Sequence, residues 1–189
     1  MKYLVIFMSL FAVNAMAANP FVEYDYDYKN KLIDGSKSNH EVNGFVFGNK
    51  ITDDLAIGVK AEVENVSDTN KLEGLIQAQA KYNIWTWKTI VPVTPFVMAA
   101  VGEKFKVGND FEFGLLGVGV NFKLTDKLGV DVAGRYRNSF DTIDHYETKE
   151  ASVKATYKIT DNHVLGVRGA FERGDSNYNT VGAFYQYRF

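Results

Sequence analysis

The stretch Val22-Glu23-Tyr24-Asp25-Tyr26-Asp27-Tyr28 alternates at every position between an apolar or aromatic residue and an acidic one. Successive side chains of a β-strand point to opposite faces, so this stretch predicts a strand with one apolar face and one charged face. Nine further segments alternate in the same way, near residues 40–49, 55–64, 73–83, 92–103, 112–123, 128–138, 148–158, 164–173 and 179–189. Most are about 9–11 residues long, the length that a tilted strand needs to cross a membrane.

Two kinds of connection alternate between these segments. Residues 50–55, 123–128 and 158–162 are near-copies of one tight turn with the pattern Lys-(Ile/Leu)-Thr-Asp, whose Thr and Asp side chains can bond the local backbone. The other connections are polar and longer, and they lie near 29–39, 65–72, 104–111, 139–147 and 174–178. Short turns on one side and longer loops on the other are typical of transmembrane β-barrels.

The connection at residues 84–92 takes the place of one tight turn and contains Trp85 and Trp87. Amphipathic indole rings prefer the level of the lipid headgroups, so we expect both to lie at a membrane interface. With this connection counted, the sequence predicts an all-β fold, a transmembrane antiparallel up-and-down β-barrel of ten strands. Eight strands remain possible if the segments near 84–103 pair differently.

The first residues have the pattern of a cleaved export signal. Lys2 is the positive residue, Tyr3 to Val13 form an apolar core, and Ala15-Met16-Ala17 supplies the small residues of a cleavage site. The apolar core, about 11 residues long, is too short to span a bilayer that needs roughly 20. The sequence therefore predicts a signal peptide at 1–17, cleaved at a site set by Ala15 and Ala17, and a barrel at 18–189.

Composition excludes several classes of site and partner. The chain has no Cys, which excludes disulfides and Cys-based metal sites. Its formal net charge of −2 does not favour a nucleic-acid partner. The carboxylates at Glu23, Asp25 and Asp27 could attract a hard cation, but strand alternation already explains their spacing. No cofactor and no metal site are predicted.

The chain ends in Tyr185-Gln186-Tyr187-Arg188-Phe189, alternating aromatics that close on a terminal Phe. This ending resembles the C-terminal insertion signal of bacterial outer-membrane proteins. The resemblance implies that Tyr185, Tyr187 and Phe189 are recognised by the barrel-assembly machinery. It also implies a location in the Gram-negative outer membrane, with lipid around the barrel.

The mature chain as a whole resembles small outer-membrane barrels of the OmpA and opacity-protein type. Residues 117–128 and the motif Gly134-Arg135-Tyr136-Arg137 carry this resemblance. The second half is also similar to the KdgM family of oligogalacturonate-specific porins, in the Arg-Tyr-Arg strand and the closing hairpin. Because that family has twelve strands, this chain would lack one hairpin. None of these motifs marks a reaction.

If the apolar faces meet lipid, the opposite faces point into the lumen. The predicted lumen charges are Glu23, Asp25, Asp27, Glu41, Lys60, Glu62, Glu64, Lys81, Asp131, Arg135, Arg137, Glu150, Lys154, Arg168, Glu172 and Arg188. Acids concentrate on the first three strands and bases on the last four, so closing the barrel brings Arg188 near the acidic row. Small inward residues leave some room along the axis: Gly58, Ala100, Gly117, Gly119, Ser152, Gly166 and Gly182.

Two non-enzymatic functions follow from such a lumen. It could be a narrow porin-like diffusion channel whose charged walls orient small charged solutes, or a structural envelope barrel filled by paired charges. Ten strands enclose far less than the 16–18 strands of porins with an aqueous channel, which favours the structural barrel.

Two other classes of function stay open. One is a surface adhesin acting through its outer loops, chiefly residues 139–147. The other is a rim-located outer-membrane hydrolase using Asp144-His145 with Asp141 close by. That pair matches no motif, and His40 and His163 are equally unspecific, so no catalytic residue is predicted.

Overall fold

The computed structural model describes residues 19–33, 36–66, 71–106, 110–140, 146–175 and 177–189. The strands are β1 (Pro20–Ile33), β2 (Ser36–Lys50), β3 (Leu55–Val66), β4 (Lys71–Asn83), β5 (Val93–Phe105), β6 (Phe111–Lys123), β7 (Leu128–Ser139), β8 (Glu147–Lys158), β9 (His163–Gly174) and β10 (Tyr178–Arg188). Each strand pairs antiparallel with its neighbours in the chain, and β10 pairs with β1 to close the barrel. The predicted fold is confirmed with ten strands, so the eight-strand alternative is wrong. The predicted signal peptide lies outside the described residues.

Among the residues that the structure describes, no helix is long and apolar enough to cross a membrane.

The strands run from 11 to 15 residues, and all except β10 are longer than predicted. The largest difference is at residues 29–39, predicted to be a long polar loop, where the paired strands instead extend to Ile33 and resume at Ser36. The connections at this end of the barrel, called here the loop end, are 34–35, 67–70, 106–110, 140–146 and 175–177. The opposite end, called the turn end, carries 51–54, 84–92, 124–127, 159–162, the start of β1 and the end of β10. The longest connection, 84–92, lies at the turn end, in the place of a tight turn, as predicted.

The three repeated turns share one hydrogen-bonding pattern. The hydroxyl groups of Thr52, Thr125 and Thr160 each accept hydrogen bonds from the backbone N–H groups two and three residues later, at 2.9–3.3 Å. In the second turn Lys123 Nζ lies 2.7 Å from Asp126 Oδ1, and this hydrogen bond holds the pKa of Asp126 below its ordinary value. The sequence repeat is therefore a repeat of one turn structure, as predicted.

In a water-soluble protein the apolar face of a sheet is buried and the charged face is exposed, and in this barrel the arrangement is reversed. On β1 the outward Tyr24, Tyr26 and Tyr28 are 37–40% exposed, whereas the inward acids Glu23, Asp25 and Asp27 are only 1–8% exposed. Apolar side chains such as Val63, Val118 and Val167 are exposed on the same outward face of other strands. An apolar outer face around a charged interior suits a barrel that is surrounded by lipid.

Trp85 and Trp87 lie at the turn end and are about half exposed. Their rings contact each other edge to face, with centroids 5.2 Å apart. The position agrees with a membrane-interface role, which stays a prediction.

Several inward glycines lie opposite a large inward side chain in the pairing register. Gly166 pairs with Phe184, and Gly119 pairs with Phe96. A Cβ atom at Gly166 would meet the Phe184 ring and would lie 2.5 Å from the carbonyl oxygen of Ala155. The ring therefore occupies the space that the glycine leaves, and it covers backbone that would otherwise line the lumen.

Gly166→Ala is expected to lower the free energy of unfolding by about 1–3 kcal/mol, because the added methyl group forces the Phe184 ring and the backbone apart. Urea unfolding in phospholipid vesicles measures the change. The matched control is Gly169→Ala on the outward face of the same strand, where a Cβ atom would meet only the Thr180 carbonyl oxygen at 3.9 Å. Equal effects of the two substitutions would contradict the close packing of Phe184 on Gly166.

Candidate functional site in the barrel lumen

The structure places every predicted lumen charge except Glu41 on the inward face of its strand. Glu41 pairs with Tyr28 and lies exposed on the outward face, so its assignment to the lumen is wrong. The cause lies in β2, whose inward face carries the buried apolar residues Val42 and Val46. Strict alternation then turns the charged neighbour outward.

The inward acids of β1 are each paired with a base from another strand. The pairs are Glu23 Oε1 with Lys154 Nζ (2.9 Å), Asp25 Oδ2 with Lys60 Nζ (3.3 Å) and Asp27 Oδ1 with Arg168 Nε (2.8 Å). Arg188, expected near this row, donates to Gln186 at 2.8 Å, and Gln186 donates to Glu23 at 3.0 Å. Burying a charge costs free energy unless the charge is paired. These pairs therefore stabilise the charged side chains inside the barrel.

A second group of charges, called here the loop-end cluster, surrounds Glu64. This carboxylate is 4% exposed and lies 3.2 Å from Lys29 Nζ, 2.7 Å from His40 Nδ1 and 3.5 Å from Lys104 Nζ. The three basic residues come from β1, β2 and β5, so the cluster ties together four strands. Lys29 and Lys104 were assigned to loops from the sequence, and only continuation of the alternation beyond residues 27 and 103 could have found them.

An apolar cluster fills the loop-end half of the lumen beside these charges. Its buried members are Leu75, Ala100, Phe111, Phe113, Leu115 and Tyr146, with Met98 packed against them. The Arg137 guanidinium lies over the Phe113 ring, 4.9 Å from its centroid. Aromatic rings therefore occupy space on the side of the lumen formed by β4 to β6.

The described lumen contains two cavities of very different size. One, called here the turn-end cavity, has a volume of about 370 Å³, and the other, on the loop side, has about 50 Å³. Four side chains line both cavities: Lys60, Gln77, Arg135 and Arg168. These four residues, called here the partition, separate the two spaces. The cations of the partition are held by carboxylates, as Lys60 is by Glu62 at 2.6 Å.

Gly58 and Ser152 line the larger cavity, but several other small inward residues do not leave the axial room expected from the sequence. A Cβ atom at Gly117 would meet Met98, and one at Gly119 would meet Phe96. At Gly182 the space is taken by the Asp27 carboxylate, which belongs to the ion pair with Arg168. Large neighbours across the strands use the space that the small residues free.

The structure adds no support for the candidate catalytic and metal-binding residues. Asp141, Asp144 and His145 lie outside the described residues. His163 lies at the turn end, where its Nδ1 is 2.6 Å from the Tyr185 hydroxyl. Within the described ranges there is no group of three His, Asp or Glu residues that could hold a metal ion.

A closed antiparallel barrel with an apolar outer face and an ion-paired interior defines the class of bacterial outer-membrane β-barrel proteins, and this chain has that fold. The translocator domain of the autotransporter NalP from Neisseria meningitidis is similar, with a TM-score of 0.55, 8% identity and coverage of 96% of this chain and 93% of that chain. An outer-membrane channel from Pseudomonas putida F1 also gives a TM-score of 0.55, with 9% identity and coverage of 92% and 96%.

The β domain of the Bordetella autotransporter BrkA gives a TM-score of 0.52, with 9% identity over 92% of this chain and 100% of that chain. At this level of identity the likenesses show the fold alone. They confirm the predicted small outer-membrane barrel, while the resemblance to the KdgM family stays a prediction. No family model and no curated protein matches the sequence.

Proposed function

We propose that this protein is a non-enzymatic structural barrel of the bacterial outer membrane, whose lumen is closed towards the loop end. The observation that carries this proposal is the partition of Lys60, Gln77, Arg135 and Arg168, which separates a cavity of about 370 Å³ from one of about 50 Å³. Beyond the partition, the loop-end cluster and the apolar cluster fill the lumen. A narrow barrel blocked at two successive levels conducts few ions.

Export and insertion are part of the same proposal. The signal peptide at 1–17 directs export, and the C-terminal strand is recognised by the barrel-assembly machinery through Tyr185, Tyr187 and Phe189. Two observations support the second step: the Phe189 side chain is exposed, and the Phe189 N–H donates to the Pro20 carbonyl oxygen at 3.0 Å. The terminal residue therefore lies at the seam where the barrel closes. By this arrangement the turn end faces the periplasm.

The purified wild-type barrel is expected to be almost silent in a planar lipid bilayer. The substitutions Asp27→Ala, Arg168→Ala, Arg135→Ala and Glu150→Ala together remove two ion pairs at the partition without leaving a charge unpaired. This variant is expected to conduct severalfold more than the wild type, because the side chains that narrow the lumen are gone.

The control variant is Lys158→Ala with Asp161→Ala, which removes an exposed ion pair whose two side chains line neither cavity. Its conductance is expected to equal that of the wild type. Stable, large conductance steps of the wild type would overturn the closed lumen and favour the narrow diffusion channel, with small charged solutes as its cargo.

A further inference from the structure

The turn-end cavity reaches the end of the barrel where β1 begins and β10 ends. Among its lining residues are Phe21 near the start of β1, Thr156 near the end of β8 and the exposed Arg188 at the end of β10. The partition forms its inner limit. Its volume of about 370 Å³ is at the lower end of the range for small-molecule sites, roughly 300–1,000 Å³.

The lining of this cavity is rich in positive charge. Six of its lining side chains are cations and three are carboxylates. The excess of positive charge arises at the partition. Glu62 and Glu150 lie beside Lys60 and Arg135, but these two carboxylates line the smaller, loop-side cavity. A concave, low-dielectric wall concentrates the field of such an excess, so the cavity attracts anions.

One corner of the cavity combines a cation with an apolar surface. Lys81 Nζ lies 3.8 Å from the centroid of the Phe96 ring and 3.1 Å from Asp131 Oδ2. An ammonium group has three donors, so it can hold a second acceptor beside this carboxylate. Met98 extends the apolar surface next to the ring.

A second corner on the other side of the lumen repeats the combination. Lys154 Nζ lies 3.6 Å from the centroid of the Phe184 ring and 2.9 Å from Glu23 Oε1.

We propose that the turn-end cavity is a binding site for a small organic anion that carries a carboxylate on a compact apolar or aromatic body. The carboxylate interacts with Lys81 or Lys154 and the apolar body packs against Phe96 or Phe184. An inorganic anion would leave these rings unused, and a cation would be repelled. The binding itself does not depend on closure of the lumen, and only the side of access, the periplasm, rests on the proposed function.

The test uses the full mature chain in an uncharged detergent and fluorine NMR titrations with 4-fluorobenzoate, 4-fluorobenzylamine and inorganic phosphate as competitor. Saturable binding of the benzoate is expected, with no saturation by the amine and no displacement by equimolar phosphate. Two paired variants keep the net charge: Lys81→Met with Asp131→Asn, and Lys154→Met with Glu23→Gln. At least one of them is expected to bind the benzoate at least about tenfold more weakly than the wild type, since the carboxylate then loses a charge-assisted hydrogen bond.

The control variant is Lys149→Met, which removes a cation on the outward face whose side chain is mostly exposed. It is expected to bind like the wild type. Absence of saturable binding to the wild type, or wild-type affinity in both paired variants, would overturn the proposal. Conductance of the wild type is a separate readout, so failure of the closed lumen and failure of this site are distinguishable.

Discussion

Glu64→Gln is expected to lower the free energy of unfolding of the barrel by about 3–5 kcal/mol. Glu64 is almost completely buried, and its carboxylate is shared by Lys29, His40 and Lys104. The amide of Gln keeps the shape but removes the negative charge, so the two lysines remain buried with less counter-charge. Removal of one partner from a buried ion pair costs far more than removal of both.

Urea unfolding in phospholipid vesicles, followed by the fluorescence of Trp85 and Trp87, measures this loss. The matched control is Glu73→Gln, since Glu73 contacts Lys104 at 3.6 Å and its side chain is 20% exposed. This control is expected to cost less than about 1 kcal/mol, as partly exposed pairs do. In the double variant with Lys29→Met the loss is expected to be smaller than the sum of the two single losses. Additive losses would contradict direct coupling of the two side chains.

The strand pattern was predictable because lipid and lumen impose opposite chemistry on alternate residues. From Glu23 to Lys29 in β1 and from Thr148 to Lys158 in β8, every second residue is charged or polar, so each face could be assigned from the sequence. The threonine turns were predictable for a similar reason, because the Thr hydroxyl bonds are local to the turn. Local rules of this kind need no knowledge of which strands meet across the barrel.

The filling of the lumen was not predictable in the same way. In β6 both faces are apolar, with Phe113 and Leu115 inward and Leu116 and Val118 outward, so alternation does not reveal that aromatic rings fill the interior. The loop-end cluster depends on contacts among four strands, and two of its residues, Lys29 and Lys104, lie in segments with loop composition. Glu41 was misassigned because the inward face of β2 is apolar at Val42 and Val46, so charge does not mark the inward face of this strand.

The second large effect on stability is expected for arginine substitutions on the outward face of the barrel. Two outward positions are almost equally exposed but lie at different depths relative to the membrane. Val153 in the middle of β8 is 50% exposed, and Ile159 in the following turn is 47% exposed. If the outward face meets hydrocarbon, Val153→Arg lowers the free energy of unfolding in vesicles by about 2–4 kcal/mol. Ile159→Arg lies near the interface and is expected to cost about 0–1 kcal/mol.

Water around the barrel would predict a different pair of results. Exposed surface substitutions in water usually change stability by less than about 0.5 kcal/mol, so both arginines would then be nearly neutral. The control substitution Val153→Leu keeps the apolar character and is expected to leave stability in vesicles unchanged. Equal, small effects of the two arginines would contradict a lipid-facing surface at Val153. A loss of stability confined to Val153→Arg would be due to its depth in the membrane, because the two positions are almost equally exposed.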